Sequence, residues 1–264
     1  MYEFAYNRPT SLEEAVKALA ADADAKPLAG GMTLLPTIKQ RLAKPSALFD
    51  LSGIASLAYI KRAGDGLEIG AMTRHVDVAR SADVQQVIPA LAQLAGGIGD
   101  PQVRNRGTMG GSVANSDPAA DYPAGVLGLG ATIVTNKREI KADDFFTGLF
   151  STALAEGELI TAIRFPKPEK AHYKKFPNPA SRYAIVGVFV AKFASGARVA
   201  VTGAGPYVFR VPEMEKALTA SFTPAAVKDI KVSDKDLNKD LHASPEYRAH
   251  LVTVMARRAV EAMV

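Results

Sequence analysis

The sequence predicts an α+β protein, a mixed body of helices and strands followed by a smaller C-terminal domain. Three observations carry this. Amphipathic helical stretches and short β-rich runs follow one another from Ser11 to Phe165. A Pro-rich polar stretch, Phe165-Pro-Lys-Pro-Glu-Lys170, then reads as a linker. Beyond it, two β-rich runs around Ser195-Gly196 give way to helices. With 264 residues, 48% apolar and 22% charged, the chain has the make-up of a globular protein of one large or two to three smaller packed units.

Taken in order, Ser11 to Ala23 reads as an amphipathic helix. Thr10 or Ser11 can cap it, Glu13 and Glu14 favour its positive end, and Leu12, Ala15, Val16 and Leu19 form the apolar stripe. Lys26 to Ala29 is a short apolar run entering Gly30-Gly31, and a helix over Leu34 to Leu42 follows before a strand over Ala47 to Leu51. Leu57–Lys61 and Leu67–Ile69 flank Gly64-Asp65-Gly66, a hairpin signal. Helices are expected over Val76–Arg80 and Ile88–Leu94, then a Gly-rich segment from Gly96 to Ser112. Asp117-Pro118 reads as a helix start, with Asp as cap and Pro in the first turn, leading into Ala119 to Leu127. Strands over Ala131–Thr135 and Leu159–Phe165 close the body. Past the linker the expected order is strand Tyr183–Phe193, strand Ala197–Thr202, and helices over Val211–Ala220, Pro224–Asp229 and Pro245–Met263.

Composition narrows the function classes. There is no cysteine, which removes disulfides, thiolate-bound clusters and a Cys nucleophile from this chain. His75, His172, His242 and His250 are scattered without ligand spacing, so no metal site is expected. The net charge of +5 is spread along the chain, with no basic stripe interleaved with aromatics, which argues against nucleic acid. No apolar run approaches a membrane span, and the start Met1-Tyr-Glu-Phe-Ala-Tyr6 lacks the features of a secretory signal. A cytoplasmic location is the expectation.

Two Gly-centred segments carry the chemistry. The first, Leu28-Ala-Gly-Gly-Met-Thr-Leu34, lies between a strand and a helix. Paired glycines permit positive φ and close approach to the backbone, and free amides at the helix start suit a phosphate. A plain tight turn explains the same residues. The second runs from Arg104 to Asp121 and combines Gly107, Gly110 and Gly111 with hydroxyls, an amide and two carboxylates. Asp117 serves most economically as a cap. Asp121, one turn on, has no such role and is placed to accept hydrogen bonds from hydroxyls. Neither segment has the G-x-x-x-x-G-K-[ST] pattern of a P-loop, and Gly203-Ala-Gly205 is spoiled as a dinucleotide motif by Pro206.

Leu28-Ala-Gly-Gly-Met-Thr-Leu-Leu-Pro36 resembles the A-G-G-x-S/T-L signature of flavoprotein subunits in the xanthine dehydrogenase and carbon monoxide dehydrogenase family. Gly99-Asp-Pro-Gln-Val-Arg-Asn-Arg-Gly-Thr-Met-Gly-Gly-Ser-Val-Ala-Asn-Ser-Asp-Pro-Ala-Ala-Asp-Tyr-Pro123 is similar to that family's second signature, and the resemblance covers essentially the whole chain. It implies a vanillyl-alcohol-oxidase-type fold: FAD-binding subdomains over 1-54 and 55-168 and a flavoprotein C-terminal domain over 172-264. It also implies noncovalent FAD. Ala29, Gly30, Gly31, Met32, Thr33 and Leu34 would line the pyrophosphate, with Thr108, Gly110, Gly111 and Ser112. Asp121 would hold the ribityl or flavin end, Leu154 would pack by the ring, and Lys174 or Lys175 would stand near the flavin. Arg104 and Arg106 match the motif and are as readily structural. Met32 departs from the polar residue common in relatives, which leaves the nearby phosphate contact to backbone.

The implied function is electron transfer within a molybdenum hydroxylase, from [2Fe–2S] clusters on a small partner subunit through FAD to an external acceptor. A large partner subunit would carry the molybdenum cofactor, in a dimer of heterotrimers. The competing expectations are a stand-alone FAD-dependent oxidoreductase of the same fold and a non-catalytic nucleotide-binding protein.

Overall fold

Ser11 starts the first helix by the expected means. In the computed structural model, which describes all 264 residues, its hydroxyl accepts the Glu14 amide at 3.1 Å, and the Glu14 carboxylate reaches back to the Thr10 amide at 2.9 Å. Strand β1 (Ala5–Asn7), helix α1 (Leu12–Ala21), β2 (Lys26–Leu28), α2 (Leu34–Lys39) and β3 (Ala47–Asp50) form the first unit, a parallel sheet in the order β1-β3-β2. Helix α2 ends sooner than its sequence suggests because Arg41 turns into the left-handed region, at φ 62°.

The middle of the chain holds β4 (Ile60–Ala63), β5 (Gly66–Gly70), α3 (His75–Arg80), α4 (Ala82–Val87) and α5 (Pro89–Gly96). Then come α6 (Pro101–Arg106), α7 (Met109–Asn115), α8 (Tyr122–Gly128), β6 (Thr132–Thr135), β7 (Glu139–Lys141) and α9 (Ala142–Phe145). The short hairpin β8 (Phe146–Gly148) and β9 (Ser151–Thr152) precedes β10 (Ile160–Phe165). The expected hairpin around Gly64 is present, and β4-β5-β10-β6-β7 form an antiparallel sheet. The Gly-rich segment Gly96–Ser112, for which the sequence gives no helix, contains α6 and begins α7. Asp117 also differs from expectation. Asp117 caps only a turn, accepting the Ala119 amide at 2.9 Å, and the helix begins at Tyr122.

The C-terminal sheet runs β11-β12-β13-β14 through β11 (Lys170–Pro177), β12 (Ala184–Phe193), β13 (Gly196–Thr202) and β14 (Phe209–Arg210). Helices α10 (Pro212–Ala220) and α11 (Pro245–Glu261) cover one face, where Val186, Val188 and Val190 meet Met214, Val252 and Met255. The expected helix over Pro224–Asp229 is a single 3-10 turn, Pro224–Ala226. Tyr173, Phe189, Ala191 and Ala200 on the other face join the core of the middle unit. Because both faces are covered, β12 reads as a continuous apolar run rather than an alternating one. The contact is close. A Cβ at Gly128 of α8 would lie 2.8 Å from the Phe189 ring. Strand β13 adds polar ties, with Thr202 donating to the Pro118 carbonyl at 2.8 Å and Arg198 to the Leu127 carbonyl at 2.8 Å. No helix is long and apolar enough to cross a membrane.

Candidate cofactor-binding cleft

The first two units, with the loop between β11 and β12 of the third, line one cleft of about 530 Å³, within the range of small-molecule and cofactor sites. It is lined by Ala29, Gly30, Gly31, Met32, Thr33 and Leu34 from the first Gly segment and by Thr108, Gly110, Gly111, Ser112 and Asp121 from the second. Leu154, after β9, adds apolar wall beside Leu159 and Ile160. Lys175 stands one layer behind the wall, bonded to the lining residue Asp121. Lys174, its neighbour on β11, is not among the lining residues.

In the first segment, Gly31 has φ 74°, the left-handed geometry that favours glycine. The amides of Gly30, Gly31, Met32 and Thr33 donate to no backbone or side-chain acceptor of the protein. The Thr33 hydroxyl is equally uncommitted, since it makes no capping bond to α2. A run of free N–H groups along a cleft wall is a donor set for an anionic group.

The second segment is built differently. Met109 donates its amide to Thr73 O at 3.0 Å, Gly110 to Ala71 O at 2.8 Å, and Ser112 to Thr108 O at 3.0 Å. Gly111 donates to the Thr108 hydroxyl, the N-cap of α7, at 3.2 Å. These amides are satisfied within the protein, so what the segment turns toward the cleft is a close surface and side-chain groups such as Ser112 and Asn115. Its glycines serve packing. A Cβ at Gly110 would lie 2.5 Å from that of Ala71, and one at Gly111 would lie 3.1 Å from that of Ala29. A Cβ at Gly30 would overlap the Arg106 carbonyl oxygen, so the two segments are pressed backbone to backbone. Arg104 donates to the Ile98 carbonyl at 3.0 Å and is structural, whereas the Arg106 side chain is exposed.

Asp121 occupies the N-cap position of α8 without capping it. Its buried carboxylate instead accepts from the Tyr173 hydroxyl and, at 3.0 Å, from the Lys175 ammonium, which also donates to Gly97 O at 2.9 Å. Burial raises the Asp121 pKa, while the Lys175 charge and the Tyr173 hydrogen bond oppose the rise. Burial likewise raises the pKa of Asp117, elsewhere on the wall.

Several lining residues have no clear sequence signal. His75 is buried at the start of α3, edge-on to Tyr122 with ring centroids 5.2 Å apart. Burial, with the nearby Arg104 charge, lowers its pKa to about 4, so the imidazole is neutral near pH 7. Glu158 bonds Thr135 at 2.7 Å and pairs with Arg138 at 3.1 Å. Ala180, Ser181, Arg182 and Tyr183, between β11 and β12, bring the C-terminal unit to the cleft. A loop reaching a site from another sheet has no local periodicity to reveal it.

Comparison with known proteins places this architecture. Residues 2–168 match the family model for the FAD binding domain in molybdopterin dehydrogenase, and residues 171–263 match the CO dehydrogenase flavoprotein C-terminal domain. The chain is 37% identical to the glyceraldehyde dehydrogenase medium chain of Sulfolobus acidocaldarius, over 97% of each chain. It is 35% identical to the nicotine 6-hydroxylase medium subunit of Paenarthrobacter nicotinovorans, over 97% of this chain and 95% of that one. Among solved structures, carbon monoxide dehydrogenase from Hydrogenophaga pseudoflava superposes with a TM-score of 0.90 at 35% identity, covering 99% of this chain and 97% of that chain. The expected FAD-binding fold with its added C-terminal domain is therefore the one observed, and the chain belongs to the FAD-binding medium subunits of the molybdenum hydroxylase family.

Proposed function

We propose that this subunit holds a single FAD noncovalently in the cleft and relays electrons from [2Fe–2S] clusters of a small partner subunit to an external acceptor. The substrate is oxidised at a molybdenum cofactor on a large partner subunit, in a cytoplasmic dimer of heterotrimers. The working division is 1-54 and 55-168 for the FAD-binding subdomains and 172-264 for the C-terminal domain. The observation that carries the cofactor assignment is the run of unpaired amides from Gly30 to Thr33, which fits a pyrophosphate.

Bound FAD supplies the redox chemistry, taking up electrons from one side and delivering them to another. The chain's own part is to bind and orient it. Ala29, Gly30, Gly31, Met32, Thr33 and Leu34 bind the pyrophosphate through backbone. Thr108, Gly110, Gly111 and Ser112 press against it, with the Ser112 hydroxyl as the main polar contribution. Asp121, fixed by Lys175, holds the ribityl or flavin end, and Leu154 packs by the ring and excludes water. The Lys175 ammonium bonds Asp121 directly, which favours Lys175 over Lys174 as the basic residue of this end.

The similar medium subunits belong to enzymes named for glyceraldehyde and for nicotine. Such different names on related medium subunits support substrate choice residing on another chain. The test is anaerobic flavin reduction in the assembled complex and in the isolated chain loaded with FAD. The proposal expects substrate to bleach flavin absorbance only when the iron–sulfur and molybdenum subunits are present. Rapid bleaching of the isolated chain by an organic substrate would point to a stand-alone FAD oxidoreductase.

A further inference from the structure

We propose that Tyr173 acts with Lys175 as a positioning residue, locking the Asp121 carboxylate at the flavin end of the cleft, and that Gly187 is the space this requires. The assignment rests on the FAD reading above and extends it to residues with no part in either Gly signature.

Tyr173 and Lys175 are two apart on β11 and so share a face of the C-terminal sheet. Each takes a different oxygen of the same carboxylate, Tyr173 the Oδ1 and Lys175 the Oδ2. Neither donor is a free rotor. The Tyr173 ring is buried and stacked on Phe189 at 6.3 Å and 28°, and the Lys175 ammonium is anchored on the Gly97 carbonyl at 2.9 Å. Gripped on both oxygens, Asp121 keeps its remaining acceptor sites for the cleft that it lines.

Gly187 explains why the phenol can reach. It pairs with Lys175 on the neighbouring strand, and a Cβ there would overlap the Tyr173 hydroxyl oxygen. Glycine weakens a strand interior, and a common reason for one is close approach by another group. Here the approaching group is the phenol on its way to Asp121. The Asp121 carboxylate, on one unit, is thereby held by side chains from another, which couples seating of the C-terminal sheet to the flavin environment.

The experiment uses the assembled complex with Tyr173→Phe, which removes one oxygen and preserves the ring, and Gly187→Ala, which displaces the hydroxyl from a distance. FAD affinity is measured by titrating flavin-stripped complex, alongside the visible flavin spectrum and Tm. Losing one hydrogen bond to a buried carboxylate is expected to weaken FAD binding roughly ten-fold and to shift the flavin bands. Gly187→Ala should reproduce the same spectral change. Lower Tm in Tyr173→Phe with wild-type FAD affinity and spectrum would overturn the assignment, leaving an interdomain clamp. A wild-type complex that binds no FAD would instead overturn the cofactor reading on which it rests.

Discussion

The two Gly-Gly doublets of this chain, Gly30-Gly31 and Gly110-Gly111, look alike in sequence and do opposite things with their amides. The first leaves Gly30 through Thr33 without acceptors, along the wall of the cleft. The second binds its amides back to Ala71, Thr73 and Thr108, and uses the missing side chains to bring α7 against its neighbours. A Gly-Gly doublet signals close approach, but it does not say whether ligand or protein does the approaching. The difference lies in whether nearby carbonyls satisfy the N–H groups first.

The largest expected effect comes from the point where the two segments meet. Gly30→Val should destabilise the protein by about 3 kcal/mol or more, because the Arg106 carbonyl cannot yield without separating the segments. Thermal unfolding without FAD checks this. An unchanged Tm with lost FAD binding would mean that Gly30 makes room for ligand rather than for protein.

Next in size is a pH effect centred on His75, whose ring nitrogen lies where it would meet a side chain at Gly107. The imidazole protonates near 6.5 when unfolded and only near 4 in the fold. Between those values the unfolded chain binds more protons, so this contribution is complete above pH 6.5 and is lost as pH falls toward 4. The difference amounts to about 3 kcal/mol. Glu68 and Glu158, both lowered to about 2 chiefly by hydrogen bonds from cationic partners, add a further loss as pH falls below 4.5. Tm against pH for wild type and His75→Gln should diverge in the higher window and run parallel in the lower one. Parallel curves throughout would remove His75 from the account.

Smaller changes sharpen the second segment. Thr108→Ala removes the cap of α7 and should cost about 1 kcal/mol of stability, read by chemical denaturation. Ser112→Ala should leave Tm unchanged and weaken FAD binding only a few-fold, as for loss of one neutral hydrogen bond of about 1 kcal/mol. A loss as large as that from disturbing the first segment would erase the contrast between them.

Much of this was legible in the sequence where a local rule governs. The Ser11 cap, the hairpin at Gly64 and the positive-φ turn at Gly31 each depend on a few adjacent residues. Helix α7 was not, since Met-Gly-Gly-Ser-Val-Ala-Asn has poor helix propensity and is held helical by its Thr108 cap and by tertiary bonds to Ala71 and Thr73. Asp117 resembled a cap because Pro118 follows it, but Thr202 and Gly203 of the C-terminal unit bind the Pro118 carbonyl and fix the segment as a turn. Strand β11 gives no strand signal in the sequence, because Lys-Ala-His-Tyr-Lys-Lys-Phe-Pro shows no apolar alternation and Tyr173 is its only buried residue. The site residues that sequence missed arrive on such elements, through contacts with no local trace.

The central claim is that the first segment meets the cofactor through amides the protein leaves free, while the second meets it through shape. Hydrogen–deuterium exchange of the complex, with FAD bound and with FAD stripped, tests this directly. FAD is expected to slow exchange strongly in a peptide covering Gly30 to Thr33 and to change exchange little across Met109 to Ser112, whose amides already have acceptors. Protection appearing across Met109 to Ser112 with none at Gly30 to Thr33 would contradict the account.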